Sequence, residues 1–178
     1  MTSQLRVDKI LPVDGAPTNG GGGIIQVVTT TKTTAFTSSS TSYVDITGLS
    51  ATITPKFNTS KIYMRLDLNS CADSRYVFFQ FVRDSTPIAV GTDATDTREN
   101  VTMTAGSNNV ITYDNLILRN QSMAILDSPA TTSATTYKIQ GKVSYSTGNF
   151  YINRCVYDTD QTYIMRAAST ITLMEVSA

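Results

Sequence analysis

The sequence predicts an all-β fold, a jelly-roll-like β-sandwich head preceded by an extended N-terminal arm. Short β-branched runs recur along the chain with turn residues between them, which is typical of a sandwich. No segment sustains the 3.6-residue apolar period of an amphipathic helix. Ser and Thr make up roughly a quarter of the 178 residues, and Thr fits a half-exposed pleated surface. Jelly rolls often assemble through flat faces of this kind, so we expect a homotrimer.

Residues 1–23 read as an arm for attachment. Gln4–Ile10 alternates apolar and polar side chains, and two prolines in Leu11–Pro17 exclude a helix there. The apolar side chains of the arm are too few to fold alone, so we expect them to pack on another protein. The docking residues of this interpretation are Leu5, Val7, Ile10 and Leu11.

A run of four glycines follows the arm and predicts a hinge, because glycine carries no side chain and little backbone preference. The hinge residues are Gly20, Gly21, Gly22 and Gly23. The run is not a phosphate-binding loop, since no Gly-Lys-Ser/Thr follows it and the next segment has the pattern of a strand.

Residues 24–178 form the predicted head, a series of short strands separated by turn residues. Alternation is clearest in Lys61–Asn69 and Thr135–Tyr145, where apolar side chains recur at every second position. Tyr76–Val82 is apolar on both faces except at Gln80, which predicts either a central strand or a strand buried at a subunit interface. The remaining predicted strands are Ile24–Thr31, Tyr43–Ile46, Ala51–Thr54, Ile88–Gly91, Val101–Thr104, Val110–Leu118, Met123–Leu126, Phe150–Val156 and Thr170–Val176.

The charge balance and the termini limit the partners. Lys plus Arg and Asp plus Glu each number 14, so electrostatics gives no reason to expect nucleic acid or an anionic membrane as a partner. The chain shows neither a signal peptide nor a run approaching the roughly 20 apolar residues of a spanning helix. We expect synthesis in a cytoplasm, where the protein stays soluble or joins a large assembly. Cys71 and Cys155 are too few for a disulfide scaffold and are expected to be buried small hydrophobes.

The side chains that catalysis usually needs are scarce. The absence of His excludes nucleophilic catalysis with an imidazole base, and two distant cysteines do not make a zinc site. Ser60 and Lys61 are adjacent, but neighbours on a strand point to opposite faces. Asp93, Asp96 and Glu99 offer oxygen ligands for calcium, although a solvated loop is the expected reading. We therefore expect no catalytic residue, no metal and no cofactor.

Two polar loops are candidates for contact with a binding partner, Gly91–Asn100 and Tyr157–Arg166. Loops on a rigid sandwich commonly carry binding. The second loop is favoured because its tyrosines can stack on sugar rings while their hydroxyls bond water or ligand. The predicted receptor contacts are Tyr157, Asp160, Tyr163 and Arg166.

Several segments resemble the short fibre or knob proteins of tailed bacteriophages, especially marine and cyanobacterial ones. They are Ser3–Ile10 with the Asp14-Gly15 turn and the glycine run, Ile24–Val28, Tyr43–Leu49, Ser60–Ile62, Phe81–Ile88, Leu126–Pro129 and Ser169–Val176. The resemblance covers nearly the whole chain and implies a virion protein, with the arm attached to tail or capsid and the head facing a host glycan or protein. It supplies no catalytic residue. Two alternatives stay open, a capsid decoration protein and a polysaccharide depolymerase, which would need a carboxylate pair in a groove.

Overall fold

The computed structural model describes residues 23–73, 76–105, 116–144 and 148–177. The described residues form eleven strands. Their bounds are β1 Ile24–Lys32, β2 Phe36–Ser38, β3 Val44–Ile53, β4 Lys61–Ala72, β5 Val77–Arg83, β6 Thr86–Ile88, β7 Met103–Ala105, β8 Arg119–Asp127, β9 Thr135–Val143, β10 Phe150–Ile152 and β11 Ser169–Val176. Within these ranges no helix is long and apolar enough to cross a membrane.

The long strands pair as a nested series. β1 pairs with β11, β3 with β9 and β4 with β8, while β5 pairs with the short strands β6 and β7, all antiparallel. A chain folded back on itself in this order, with outermost strands paired and innermost strands paired, is wound as a jelly roll. The predicted all-β class and two-sheet head are therefore confirmed.

The pairs are distributed over two sheets. The first sheet has the order β1-β11-β4-β8, and the short strands β10 and β2 continue from the far half of β4. The second sheet has the order β3-β9-β5. The short strands β6 and β7 lie end to end along the outer edge of β5 and pair with different parts of it. Apolar side chains from both sheets form one buried cluster, so the two layers share a core.

Strict alternation fills that core. In β4 the buried Ile62, Met64, Leu66 and Leu68 point to the second sheet, as the sequence pattern predicts. The centre is aromatic: Phe79 of β5 and Phe150 of β10 pack edge to face with ring centroids 5.6 Å apart.

One end of the sandwich is closed by a polar network. Arg83 at the end of β5 donates to both carboxylate oxygens of Asp127, at 2.9 and 2.8 Å, and the buried Tyr137 hydroxyl donates to the same carboxylate at 2.7 Å. Burial and the neighbouring carboxylate raise the pKa of Tyr137 well above its usual value. The network satisfies three polar groups where the two sheets meet and fixes the position of the β8–β9 connection.

The head has two opposite ends along β1. Gly23 lies at one end, which we call the hinge end, where its carbonyl accepts a hydrogen bond from the Ser177 backbone at 3.0 Å. Lys32 lies at the other, the far end, paired with Ser169 at the start of β11. The nine residues of β1 separate the two ends by about 30 Å. The segment that precedes β11 is therefore at the far end.

The structure decides between the two predictions for β5, which is a central strand with β9 on one edge and β6 and β7 on the other. Gln80 is 8% exposed and Val82 is 1% exposed within a single chain, and Phe78 is half-buried. Gln80 donates to the Gln140 side chain at 2.7 Å, and the loop after β6 lies over Phe78. The chain itself covers this face, so the apolar character of Tyr76–Val82 is not a reason to expect a neighbouring subunit.

Further strand predictions differ from the structure. The strand predicted at Ile88–Gly91 is β6, Thr86–Ile88, and residues 110–115 of the strand predicted at Val110–Leu118 lie outside the described residues. Tyr43–Ile46 and Ala51–Thr54 are parts of one strand, β3, whose register shifts between Asp45 and Ser50 around Gly48 at φ 82°. A bulge with a glycine in the left-handed region bends a strand without ending it. The strand predicted at Phe150–Val156 ends at Ile152, because Asn153 adopts φ 62° and turns the chain out of the sheet.

Candidate functional site

The candidate binding loop, residues 153–168, leaves the sheet at the far end and is anchored at both ends. Asn153 is fully buried, and its side-chain amide donates to the Lys32 carbonyl at 2.7 Å. The Ser169 hydroxyl, also buried, donates to the Asn153 side-chain oxygen at 2.6 Å. These bonds join the end of β1 to both ends of the loop, so the loop starts and finishes on rigid sheet.

An ion cluster organises the interior of the loop. Asp158 lies 3.2 Å from the Arg154 guanidinium and accepts a hydrogen bond from Arg166. Arg154 and Arg166 also form a backbone bridge, and the Arg154 guanidinium lies 5.0 Å from the centre of the Tyr151 ring. The hydrogen bond from Arg166 lowers the pKa of Asp158, and the neighbouring Arg154 charge acts in the same direction. The lowered pKa keeps the Asp158 carboxylate ionised near neutral pH, so it can hold both guanidinium groups.

The predicted contact residues occupy this loop in two groups. Asp160 and Arg166 line a shallow cavity of about 390 Å³, with Asp158, Thr159, Gln161 and Ile164. Tyr157 and Tyr163 do not line it, but their side chains are exposed, at 52% and 58%. The loop therefore presents carboxylate, guanidinium and amide groups beside two free aromatic faces. Such a surface can bond the hydroxyls of a sugar or the polar groups of a protein.

Sequence reasoning missed Arg154 and Asp158, which hold the loop in shape. The available signal was their spacing of four residues, with Arg166 eight residues beyond Asp158. Arg154 lay inside a predicted strand, which concealed its role in the loop.

The second candidate loop, Gly91–Asn100, lies against the outer face of the second sheet. Its residues form a cavity of about 350 Å³ with Phe78 on one side and Asp93, Arg98 and Asn100 among the lining residues. Glu99 accepts a hydrogen bond from Lys142 at 2.8 Å, and that ammonium lies 4.9 Å from the centre of the Tyr43 ring. Burial and the Glu99 charge raise the pKa of Tyr43 to about 12. The loop is thus fastened to the sheet that it covers.

The structure does not bring together the side chains considered for catalysis or metal binding. The described residues contain no cluster of three His, Cys, Asp or Glu side chains that could hold a metal ion. Glu99 of the proposed calcium set is bound to Lys142. Ser60 is buried and Lys61 is exposed, so the two side chains lie on different faces.

Both cysteines are buried and neither is in a disulfide, as expected. Burial raises the pKa of the Cys71 thiol, which favours its poorly reactive, protonated form. The Cys155 thiol donates to the Leu116 carbonyl at 3.0 Å.

The predicted docking residues Leu5, Val7, Ile10 and Leu11, and the hinge residues Gly20, Gly21 and Gly22, lie outside the described residues. Gly23 is exposed, and a Cβ added there would meet nothing within 4 Å.

No protein-family profile matches the chain, and no curated protein matches it. Among solved structures, the crystal structure of the infectious bursal disease virus VP2 subviral particle is similar to it, with 15% sequence identity and a TM-score of 0.38. The match covers 86% of this chain and 38% of that one. A similarity of this degree decides neither the fold nor the function of this chain.

Proposed function

We propose that the protein is a structural component of a virus particle, a trimeric fibre or knob whose head contacts the host surface. Residues 1–23 attach it to tail or capsid, and the jelly roll displays the candidate binding loop at its far end. We call this loop, residues 153–168, the far-end loop. The observation that carries the proposal is the placement of this loop. Gly23 and the segment 157–166 lie at opposite ends of β1, about 30 Å apart, so a head attached through its N-terminus directs this loop outward.

The nature of the loop supports contact with a partner. Exposed tyrosines cost little conformational entropy when they bind, and aromatic side chains are enriched among residues that dominate binding energy. Tyr157 and Tyr163 stand on a loop whose shape is fixed by Asp158 and whose ends are fixed by Asn153 and Ser169. A pre-shaped loop loses less entropy when it binds a glycan or a protein.

The proposal is tested by adsorption of virus particles that carry variant proteins. Tyr163→Ala removes the more exposed aromatic side chain of the loop. If Tyr163 contributes as a typical dominant contact, about 1.4 kcal/mol is lost and affinity falls about tenfold. Phe57→Ala is the matched control, because Phe57 is 54% exposed and lies in the β3–β4 connection at the hinge end. The control is expected to adsorb normally.

The outcomes separate the roles. Weaker adsorption of Tyr163→Ala particles with an unchanged oligomer supports host contact. Loss of the oligomer assigns Tyr163 to a subunit interface instead. Normal adsorption of both variants contradicts the host-binding role and favours capsid decoration, in which the head reinforces a shell. Release of reducing sugar from host polysaccharide would favour the depolymerase, with Asp93 and Glu99 as the carboxylates that share a cavity.

A further inference from the structure

The outer face of the first sheet carries an exposed apolar row. Val27 of β1 is aligned with Met174 of β11, Met174 with Tyr63 of β4, and Tyr63 with Leu126 of β8. The two outermost members are 56% and 54% exposed. Ile24 and Ile25, 58% and 44% exposed, extend the apolar surface to the hinge end. We call this surface, from β1 to β8, the apolar row. It crosses all four long strands of the sheet without interruption.

The row on the far-end side is nearly neutral, whereas the row on the hinge side contains Val176 and the exposed Lys61. Thr29 and Thr172 share a hydrogen bond at 3.1 Å in the row on the far-end side, which continues through Arg65 to Ala124. Arg65 is paired with Asp67 at 2.9 Å on the same face, so the two charges cancel locally. Burying a surface that is apolar in one row and neutral in the next costs little desolvation free energy, because no unpaired charge in those two rows is taken out of water.

The row ends at a strand edge without the usual protection. Within the described residues β1 pairs with β11 alone, so its other edge is open. Exposed edges are normally guarded by lysine, proline or a bulge that turns them away. The one charged residue of β1 is Lys32, which is 6% exposed and donates to the Thr34 hydroxyl at 2.9 Å. A register irregularity occurs only near Ile24 and Gln26, so most of the edge is regular and uncharged.

We propose that the apolar row is the surface through which copies of this chain meet around the axis of the trimer. This inference rests on the trimeric assembly in the proposed function and moves the interface from β5 to the first sheet. Around a rotation axis, each residue near the axis meets its own symmetry copies. A charged row would place like charges together, whereas an apolar row avoids that repulsion.

The size of the face is compatible with this role. Four strands about 4.8 Å apart and eight residues long cover about 500 Å² on each subunit. Around a threefold axis this face meets a different patch of the next copy, which buries a similar area, so each contact buries about 1,000 Å² in total. That area reaches the size at which a specific interface is expected. The open β1 edge lies beside the row and adds backbone groups that a neighbouring copy can bond.

The test is the oligomeric state of the full chain by analytical ultracentrifugation at micromolar concentration. Val27→Lys and Leu126→Lys place a charge at either end of the row, where the side chains are half exposed and the monomer fold tolerates them. Thr29→Lys places a charge in the adjacent row. Met165→Lys is the control, since Met165 is 44% exposed in the far-end loop. Circular dichroism checks that each variant keeps its strands.

A trimeric wild type and control, with row variants shifted at least tenfold towards monomer, would support the inference. A monomeric wild type would overturn it, as would row variants that remain trimeric. Thiol labelling of a Leu126→Cys variant tests whether something other than a second copy covers the row. A monomer whose thiol is protected from the label would mean that the chain's own arm covers the row, which also contradicts the proposal. Adsorption is not part of this readout, so the interface can stand when host binding fails, and the reverse.

Discussion

Gly141, in the middle of β9, faces the aromatic pair at the centre of the sandwich and gives the sharpest test of the packing. A Cβ added there would lie 2.8 and 3.0 Å from two atoms of the Phe150 ring and 3.0 Å from the Phe79 ring. Ordinary carbon contacts are about 3.5–4.0 Å. Both rings are fully buried, so neither can rotate away without disturbing the other.

Gly141→Ala is therefore expected to destabilise the head by overpacking, by about 1–3 kcal/mol. For a domain of this size, that corresponds to a fall in Tm of about 2–12 °C. The same exchange at Gly23, where no atom lies within 4 Å of the added Cβ, is expected to leave stability almost unchanged. Urea unfolding followed by circular dichroism measures both variants.

A second variant shows whether the ring contact is the cause. Phe150→Leu removes the atoms that the new Cβ would meet, so Gly141→Ala should cost less in that background than in the wild type. A double-mutant cycle isolates this coupling. The reasoning is refuted if Gly141→Ala unfolds at the same urea concentration as the wild type, or if the cycle shows no coupling.

Two further outcomes are expected. Asp127→Ala leaves the partly buried Arg83 and the buried Tyr137 hydroxyl without their shared acceptor. The free energy of unfolding in urea should fall by about 1–3 kcal/mol. An unchanged unfolding midpoint would contradict a stabilising role for this network. Asp158→Asn should speed tryptic cleavage within the far-end loop at neutral pH, whereas Asp160→Asn should not; equal rates would show that the ion cluster does not order the loop. Because the pKa of Asp158 is lowered in the folded chain, its contribution is complete above the usual carboxyl pKa of about 3.9 and is lost as pH falls through the lower folded value, so a carboxyl titration followed by NMR should have its midpoint below 3.9.

Much of the fold follows from local pattern. The alternation in β4 and β9 predicted which side chains point inward, because an antiparallel sheet packed on one face needs a period of two. Ile62, Met64 and Leu66 are buried as that pattern requires, and so are Tyr137 and Ile139.

Long-range pairing could not be read in the same way. Nothing in the sequence of β5 shows that the loop after β6 covers Phe78, so the pattern left both a central strand and a subunit contact open. The apolar row was missed for a related reason: Val27, Tyr63 and Leu126 belong to separate strands, and only their register aligns them. The polarity of its sequence predicted the candidate loop. The ion pair between Arg154 and Asp158 depends on a turn at Asn153 that the sequence pattern did not predict.

The central claim is that this chain is displayed on a virus particle with its far end outward. A reconstruction of the purified virus particle that is proposed to carry the protein, with an antibody fragment bound to the 157–166 loop, tests this most directly. The account predicts trimeric heads on tail or capsid, with Gly23 towards the particle and the fragment on the outermost surface. Absence of the protein from purified particles, or heads with this loop buried against the particle, would contradict it.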